Sequence, residues 1–225
     1  MPAKGGCADG MAKIAHCCTI NSSTKAVRMV APLRDGDVRA AVMVRLLAHA
    51  RRCANTLVID ELGLSHGASR MDIAIINGHI RGVEIKAEAD TLERLPRQAE
   101  AYGRVVDKAT LIASERHLLE AEKLVPQWWG LIGAARAKSG SVVFRRIRTE
   151  RVNRGVDPVS LARLLWRTEA ASALAALGCD PKLLRAPRTV LYQELVDRLP
   201  RTALAALVRS TLRTRSNWRG RQRFS

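Results

Sequence analysis

The chain has 225 residues, 47% of them apolar and only 4% aromatic, enough for one domain with a sizeable core, alone or with a helical extension. No run of 18 or more apolar residues occurs and the N-terminus lacks a continuous apolar segment, which predicts neither a membrane span nor a secretory signal. The formal charge is +17, and it is lopsided: residues 1–125 hold 18 basic and 15 acidic side chains, residues 126–225 hold 20 and 6. That balance points to a polyanionic partner, nucleic acid being the usual one, against the plainer reading of arginine preferred on solvated surfaces.

Residues 1–33 show no clear period and are expected to form a loosely ordered tail. Cys7, His16, Cys17 and Cys18 could hold zinc, but adjacent cysteines are poor ligand spacing and no second cysteine pair follows. Five cysteines, odd in number and irregular in spacing, argue against a disulfide framework and for a reducing cytoplasm.

Order is expected to begin with a helix over 37–52, capped by Asp37. A short strand follows near 56–61, then a loop carrying Ser65 and His66. Two strands over 71–76 and 80–87 flank Asn77-Gly78. A helix is expected over 91–106, with Asp90 or Thr91 as its cap and Pro96 in its first turn or at a break. A strand over 109–113 and a helix ended by Pro126 come next, with His117 on that helix's surface. Two strands around Lys138-Ser139-Gly140 then lead to an Ala/Leu-rich helix from Pro158 to Gly178, two further helices, and a basic tail over 216–225. Trp128-Trp129 packs a strand against a helix or stacks on bases.

The stretch MDIAIINGHIRGVEIKAE raises the functional question, because it sets Asp72, Glu84 and Lys86 among apolar residues. Side chains alternate along a strand. A two-residue turn would pair Ile76 with His79 and put Asp72 and Glu84 on opposite faces. A three-residue loop pairs Ile76 with Ile80, Ala74 with Gly82 and Asp72 with Glu84. It also gathers Ile73, Ile75, Val83 and Ile85 on one apolar face. One residue of slip would flip a whole face, so the three-residue register is the expected one. Facing carboxylates repel unless a cation sits between them, and Mg²⁺ or Mn²⁺ suits such oxygen ligands. Lys86 lies on the same face, where it could orient a water or meet a phosphate. The competing reading is a solvated edge hairpin whose Lys86 neutralises two acids.

Asp72 followed by Glu84-Ile85-Lys86 on the next strand resembles the PD-(D/E)XK nuclease superfamily, as does the element order around it. Glu61 in VIDELGL and the pair Gln98–Tyr102 in RQAEAY fit the same pattern. Together with RMDIAIING and VPQWWG they look like a bacterial family within that superfamily. The resemblance covers about 35–147 well and the C-terminal helices loosely. It departs from the pattern at Met71, where the superfamily has proline.

The resemblance implies an α/β fold with a restriction-endonuclease-like core (αβββαβ, mixed sheet flanked by helices) followed by a basic C-terminal helical segment. The corresponding parts are a tail over 1–33, a nuclease-like domain over 34–150, a basic helical extension over 151–215 and the tail over 216–225. It further implies a Mg²⁺-dependent deoxyribonuclease. Asp72, Glu84 and the Ile85 carbonyl would hold the metal, with Glu61 binding directly, through water or through a second ion. Lys86 would position or activate the attacking water, Gln98 would orient it or a ligand, and Tyr102 would support Gln98 or touch a phosphate. The alternative is a non-catalytic DNA-binding or regulatory protein on the same fold; a partner-binding protein is a third reading.

Arg94, Arg145, Arg146, Arg213 and Arg215 are candidate nucleic-acid contacts, although Arg94 could instead pair with Asp90. Many members of that superfamily cut as dimers, which leaves a homodimer open. Ser65 and Ser114 have no visible base partner, and no phosphate-binding GxxxxGK[ST] loop is present.

Overall fold

A computed structural model describes residues 31–64, 67–216 and 218. Of the tail expected over 1–33, residues 1–30, with Cys7, His16, Cys17 and Cys18, lie outside the described residues, as do Ser65, His66 and most of 216–225, whereas Leu33 is buried in the core.

The architecture is mixed α/β: a six-stranded mixed sheet flanked by helices. The strands are β1 (Leu57–Leu64), β2 (Ser69–Ile76), β3 (Ile80–Lys86), β4 (Lys108–Ser114), β5 (Gly130–Arg136) and β6 (Val142–Arg148). They lie in chain order across the sheet. β1–β2, β2–β3 and β5–β6 run antiparallel, whereas β3–β4 and β4–β5 run parallel. The hairpin at Asn77 takes the three-residue register, with Ile76 opposite Ile80 and Ala74 opposite Gly82. β2 and β3 are interior strands, so the solvated-edge reading of this hairpin does not hold.

Each face of the sheet has its own cover. On one side Ile73, Ile75, Val83 and Ile85 pack with Leu33 and with Val38 and Val42 of the N-terminal helical segment. That segment is α1 (Asp35–Ala41), a π-helical turn over Val42–Leu46 and α2 (Ala48–Arg52), not one continuous helix. Arg34, not Asp37, is the N-cap residue of α1; the Asp37 carboxylate accepts from the Arg34 N–H.

The other face is covered by α3 (Leu95–Gly103), α4 (Leu118–Leu124) and the C-terminal helices. α3 starts at Leu95, later than expected, because Asp90 closes a turn instead, its carboxylate accepting from Ala87 N–H at 2.7 Å. Pro96 sits in the first turn, where its missing N–H costs nothing. His117, expected on a helix surface, is buried at the N-terminus of α4.

The helix expected from Pro158 to Gly178 is broken into α5 (Pro158–Ala162) and α6 (Arg167–Ala176). Trp166 is extended between them, and its N–H is capped by the Glu169 carboxylate at 2.7 Å. α7 (Arg188–Arg198) and α8 (Arg201–Thr214) follow. Leu161, Leu174, Leu191, Leu204, Val208 and Leu212 from these helices share one apolar cluster with Met71, Ile76 and Leu111 of the sheet. The basic C-terminal segment is therefore packed onto the sheet through its own apolar stripe.

Candidate functional site

Alternation along β3 turns Glu84 and Lys86 to the α3 side of the sheet, and the i, i+4 spacing of Gln98 and Tyr102 turns both toward them. The Lys86 ammonium lies 2.9 Å from Glu84 Oε1 and donates to Gln98 Oε1 at 3.0 Å. Gln98 Nε2 donates to the same Glu84 oxygen, and the Tyr102 hydroxyl donates to Glu84 Oε2, both at 2.5 Å. The Tyr102 oxygen accepts in turn from Asp72 N–H at 3.2 Å. Glu84 is 1% exposed and Lys86 5%.

Asp72 is held from the other side. One carboxylate oxygen accepts from Ile85 N–H at 2.8 Å. The other lies 3.3 Å from Arg39 Nη2, and Arg39 also pairs with Asp35 at 3.2 Å and Asp60 at 3.5 Å. Each carboxylate has its own cation, Arg39 for Asp72 and Lys86 for Glu84, which offsets but does not abolish their mutual repulsion. Sequence reasoning missed Arg39. Its only signal is its position four residues after Asp35 on a helix.

Burial pushes the Glu84 carboxyl above the ordinary range and nearby Asp72 adds to the rise; Lys86 and the Tyr102 hydroxyl oppose it. Burial also raises Asp72, against the Ile85 N–H and Arg39. Tyr102, buried beside Glu84, is pushed well above the ordinary phenol value. Its ring stacks on Trp129 at 5.2 Å between centroids. Trp129 is fully buried, which makes it a core residue and not a base-stacking one. Gly82 permits this packing: a Cβ there would lie 2.9 Å from the Tyr102 ring and 3.0 Å from the Met71 sulfur.

The network forms the floor of a cleft of about 780 Å³. Five acidic residues line it (Asp35, Glu61, Asp72, Glu84, Asp90) against four basic ones (Arg70, Lys86, Arg94, Arg97). Glu61 is not drawn into the network. It has a left-handed backbone (φ 58) in mid-strand, and its half-exposed carboxylate pairs with Arg70 at 3.1 Å. Among the described residues no group of three His, Cys, Asp or Glu side chains is placed to hold a metal ion. The oxygens of Asp72 and Glu84 already have protein donors, so this arrangement does not fit the Mg²⁺ or Mn²⁺ expected there.

The proposed nucleic-acid contacts scatter. Arg94 is exposed at the cleft and has no ion-pair partner among the described residues, Asp90 included. Arg145 pairs with Glu115 at 3.0 Å. Arg146 is exposed. Arg213 donates to the Asn55 carbonyl at 3.3 Å. Arg215 is not a surface contact: it is 8% exposed and bonded to Glu169 and the Leu164 carbonyl.

A second cleft, of about 420 Å³, opens on the other side of Gly63 and Gly67, which wall both. Among the described residues its lining has four arginines and no acidic side chain, with Trp166 exposed among them. Sequence reasoning passed over it, because a continuous helix through 158–178 would have hidden the break that presents Trp166.

The fold and the closed network define a mixed α/β protein whose conspicuous charged triad is bonded internally. A family model described as Bacteriophage P4 protein cII matches residues 30–222. The chain belongs to that family. It is 25% identical over 146 residues to protein cII of Enterobacteria phage P4, covering 65% of this chain and 54% of that protein. The chain therefore spans about half the length of this curated relative. No solved structure matches.

Membership in the P4 cII family overturns the resemblance to the PD-(D/E)XK superfamily. The deoxyribonuclease and hydrolase assignment falls with it.

Proposed function

We propose that this protein binds nucleic acid, DNA in the first instance, without cutting it, and acts as a regulatory protein in the cytoplasm. The observation that carries this reading is the charge: +14 of the +17 falls in residues 126–225. Exposed arginines there, including Arg146, Arg163 and Arg188, have no ion-pair partner among the described residues. Cations left unpaired on a folded surface are available to phosphates, and each phosphate neutralised releases counterions.

Under this reading the α/β core over 34–150 is a scaffold, whose αβββαβ order holds the network rigid. The helices over 151–215 present the binding face. The buried network fixes β3 against α3, since every member has a partner and none can leave without stranding another. Among the described residues no helix is long and apolar enough to cross a membrane. A homodimer would double the basic surface and is proposed as one state of the bound protein.

The test is affinity for random-sequence duplex and single-stranded DNA measured across a series of salt concentrations. A steep loss of affinity with salt is expected, with a slope near −0.9 per phosphate contacted on the duplex. Absence of binding, or affinity that ignores salt, would favour a helical module that binds a protein partner.

A further inference from the structure

We propose that the cleft beside α6 takes an unpaired nucleotide, its base stacked on the Trp166 indole and its phosphates against Arg163, Arg167 and Arg188. This inference rests on the nucleic-acid reading and specifies its ligand.

Trp166 is 47% exposed, although Arg215 covers one side of its ring with the guanidinium 4.2 Å from the centroid. Arg215 is itself clamped: the Trp218 ring lies 4.5 Å away, and Glu169 binds two of its nitrogens, at 2.5 and 2.8 Å. The indole therefore has a fixed orientation before any ligand arrives, which lowers the ordering cost of binding. The charge of Arg215 is spent on Glu169, whereas Arg163 and Arg188 have no ion-pair partner among the described residues. Arg167 is held at the rim by the carbonyls of Leu184 and Ala186, both at 3.1 Å.

A rigid aromatic platform ringed by cations, with no acid among the described lining residues, matches the two features of a nucleotide, a π-face and an anion. A duplex keeps its base faces inside the stack and offers only edges in its grooves, so an exposed indole face finds no partner there. The volume, about 420 Å³, is that of a small-ligand site.

The probes are a short oligothymidylate, an oligouridylate of equal length, free thymidine monophosphate and a duplex of matching length, titrated into wild type, Trp166→Ala, Trp166→Phe and Arg188→Ala. Circular dichroism confirms folding of each variant. Wild type should prefer the single strands to the duplex, and Trp166→Ala should weaken their binding about 5- to 150-fold while Trp166→Phe retains most of it. Quenching of tryptophan fluorescence by the oligonucleotide should be reduced in both Trp166 variants. Binding of free monophosphate equal to that of the oligonucleotides would overturn the assignment to a strand and indicate a mononucleotide pocket. Uridylate and thymidylate arms separate RNA from DNA as the source of the strand. If wild type binds duplex and single strands alike and Trp166→Ala changes neither, this inference fails while the nucleic-acid reading stands. If wild type binds no nucleic acid at any salt, both fail.

Discussion

The two clefts on either side of Gly63 and Gly67 both carry basic side chains and differ in how those charges are answered. In the first, Lys86 meets Glu84, Arg39 meets Asp72, and Arg70 meets Glu61. In the second, four arginines face no acid among the described lining residues, and Arg215 is neutralised by Glu169 behind it. The charges at the floor of the first are therefore answered within the fold, whereas Arg163, Arg167 and Arg188 of the second have no ion-pair partner among the described residues. The presence of Asp, Glu and Lys on one face of a sheet does not specify chemistry; whether those groups are already satisfied does.

Breaking the network should give the largest effect. Lys86→Ala leaves Glu84 buried without its cation and should cost about 3 kcal/mol or more in chemical denaturation, since one partner of a buried pair has been removed. Pairing it with Glu84→Gln should recover part of that loss; no recovery would show that Lys86 acts through packing alone. Gly82→Ala should cost about 1–3 kcal/mol, because the new methyl meets the Tyr102 ring.

A smaller effect should appear in pH dependence. The Glu84 carboxyl is raised in the folded state, so the native protein binds more protons than the unfolded one. The group's contribution is then most favourable below the ordinary value of 4.5 and declines as pH rises through the raised one. Wild type should accordingly lose stability relative to Glu84→Gln as pH rises above about 4.5, measured by urea midpoints across the acidic range; a difference that stays flat would contradict the burial argument. The smallest expected effect is that of Mg²⁺ or Mn²⁺. The engaged carboxylates predict no shift in Tm at millimolar metal. A stabilising shift abolished by Asp72→Asn would establish the cation that the sequence suggested.

Much of the first region was legible from the residues. The apolar set Ile73, Ile75, Val83 and Ile85 selects the three-residue register, because any slip would expose it. Alternation then places Glu84 beside Lys86, and a spacing of four brings Gln98 and Tyr102 to them. What was not legible is tertiary. Arg39 reaches Asp72 from a helix on the opposite face of the sheet, and Glu61 leaves the site through a single left-handed backbone angle. Neither leaves a mark on local periodicity. The second region was hidden by a helical pattern that runs unbroken through 158–178, whereas the chain stops it at Trp166 with the Glu169 cap. The family motif misled for the same reason: it matched residue types and spacing, and the function of such a set depends on partners that spacing does not contain.

The most direct measurement is salt-dependent nucleic-acid affinity in two variants, one for each cleft: Arg163→Ala/Arg188→Ala and Gln98→Ala. The arginine double variant should bind several-fold more weakly and with a salt slope reduced by about two, one for each phosphate no longer neutralised, while Gln98→Ala binds as wild type does. Normal affinity in the arginine variant together with weakened binding in Gln98→Ala would contradict the division of labour between the two clefts and move the binding site into the acidic one.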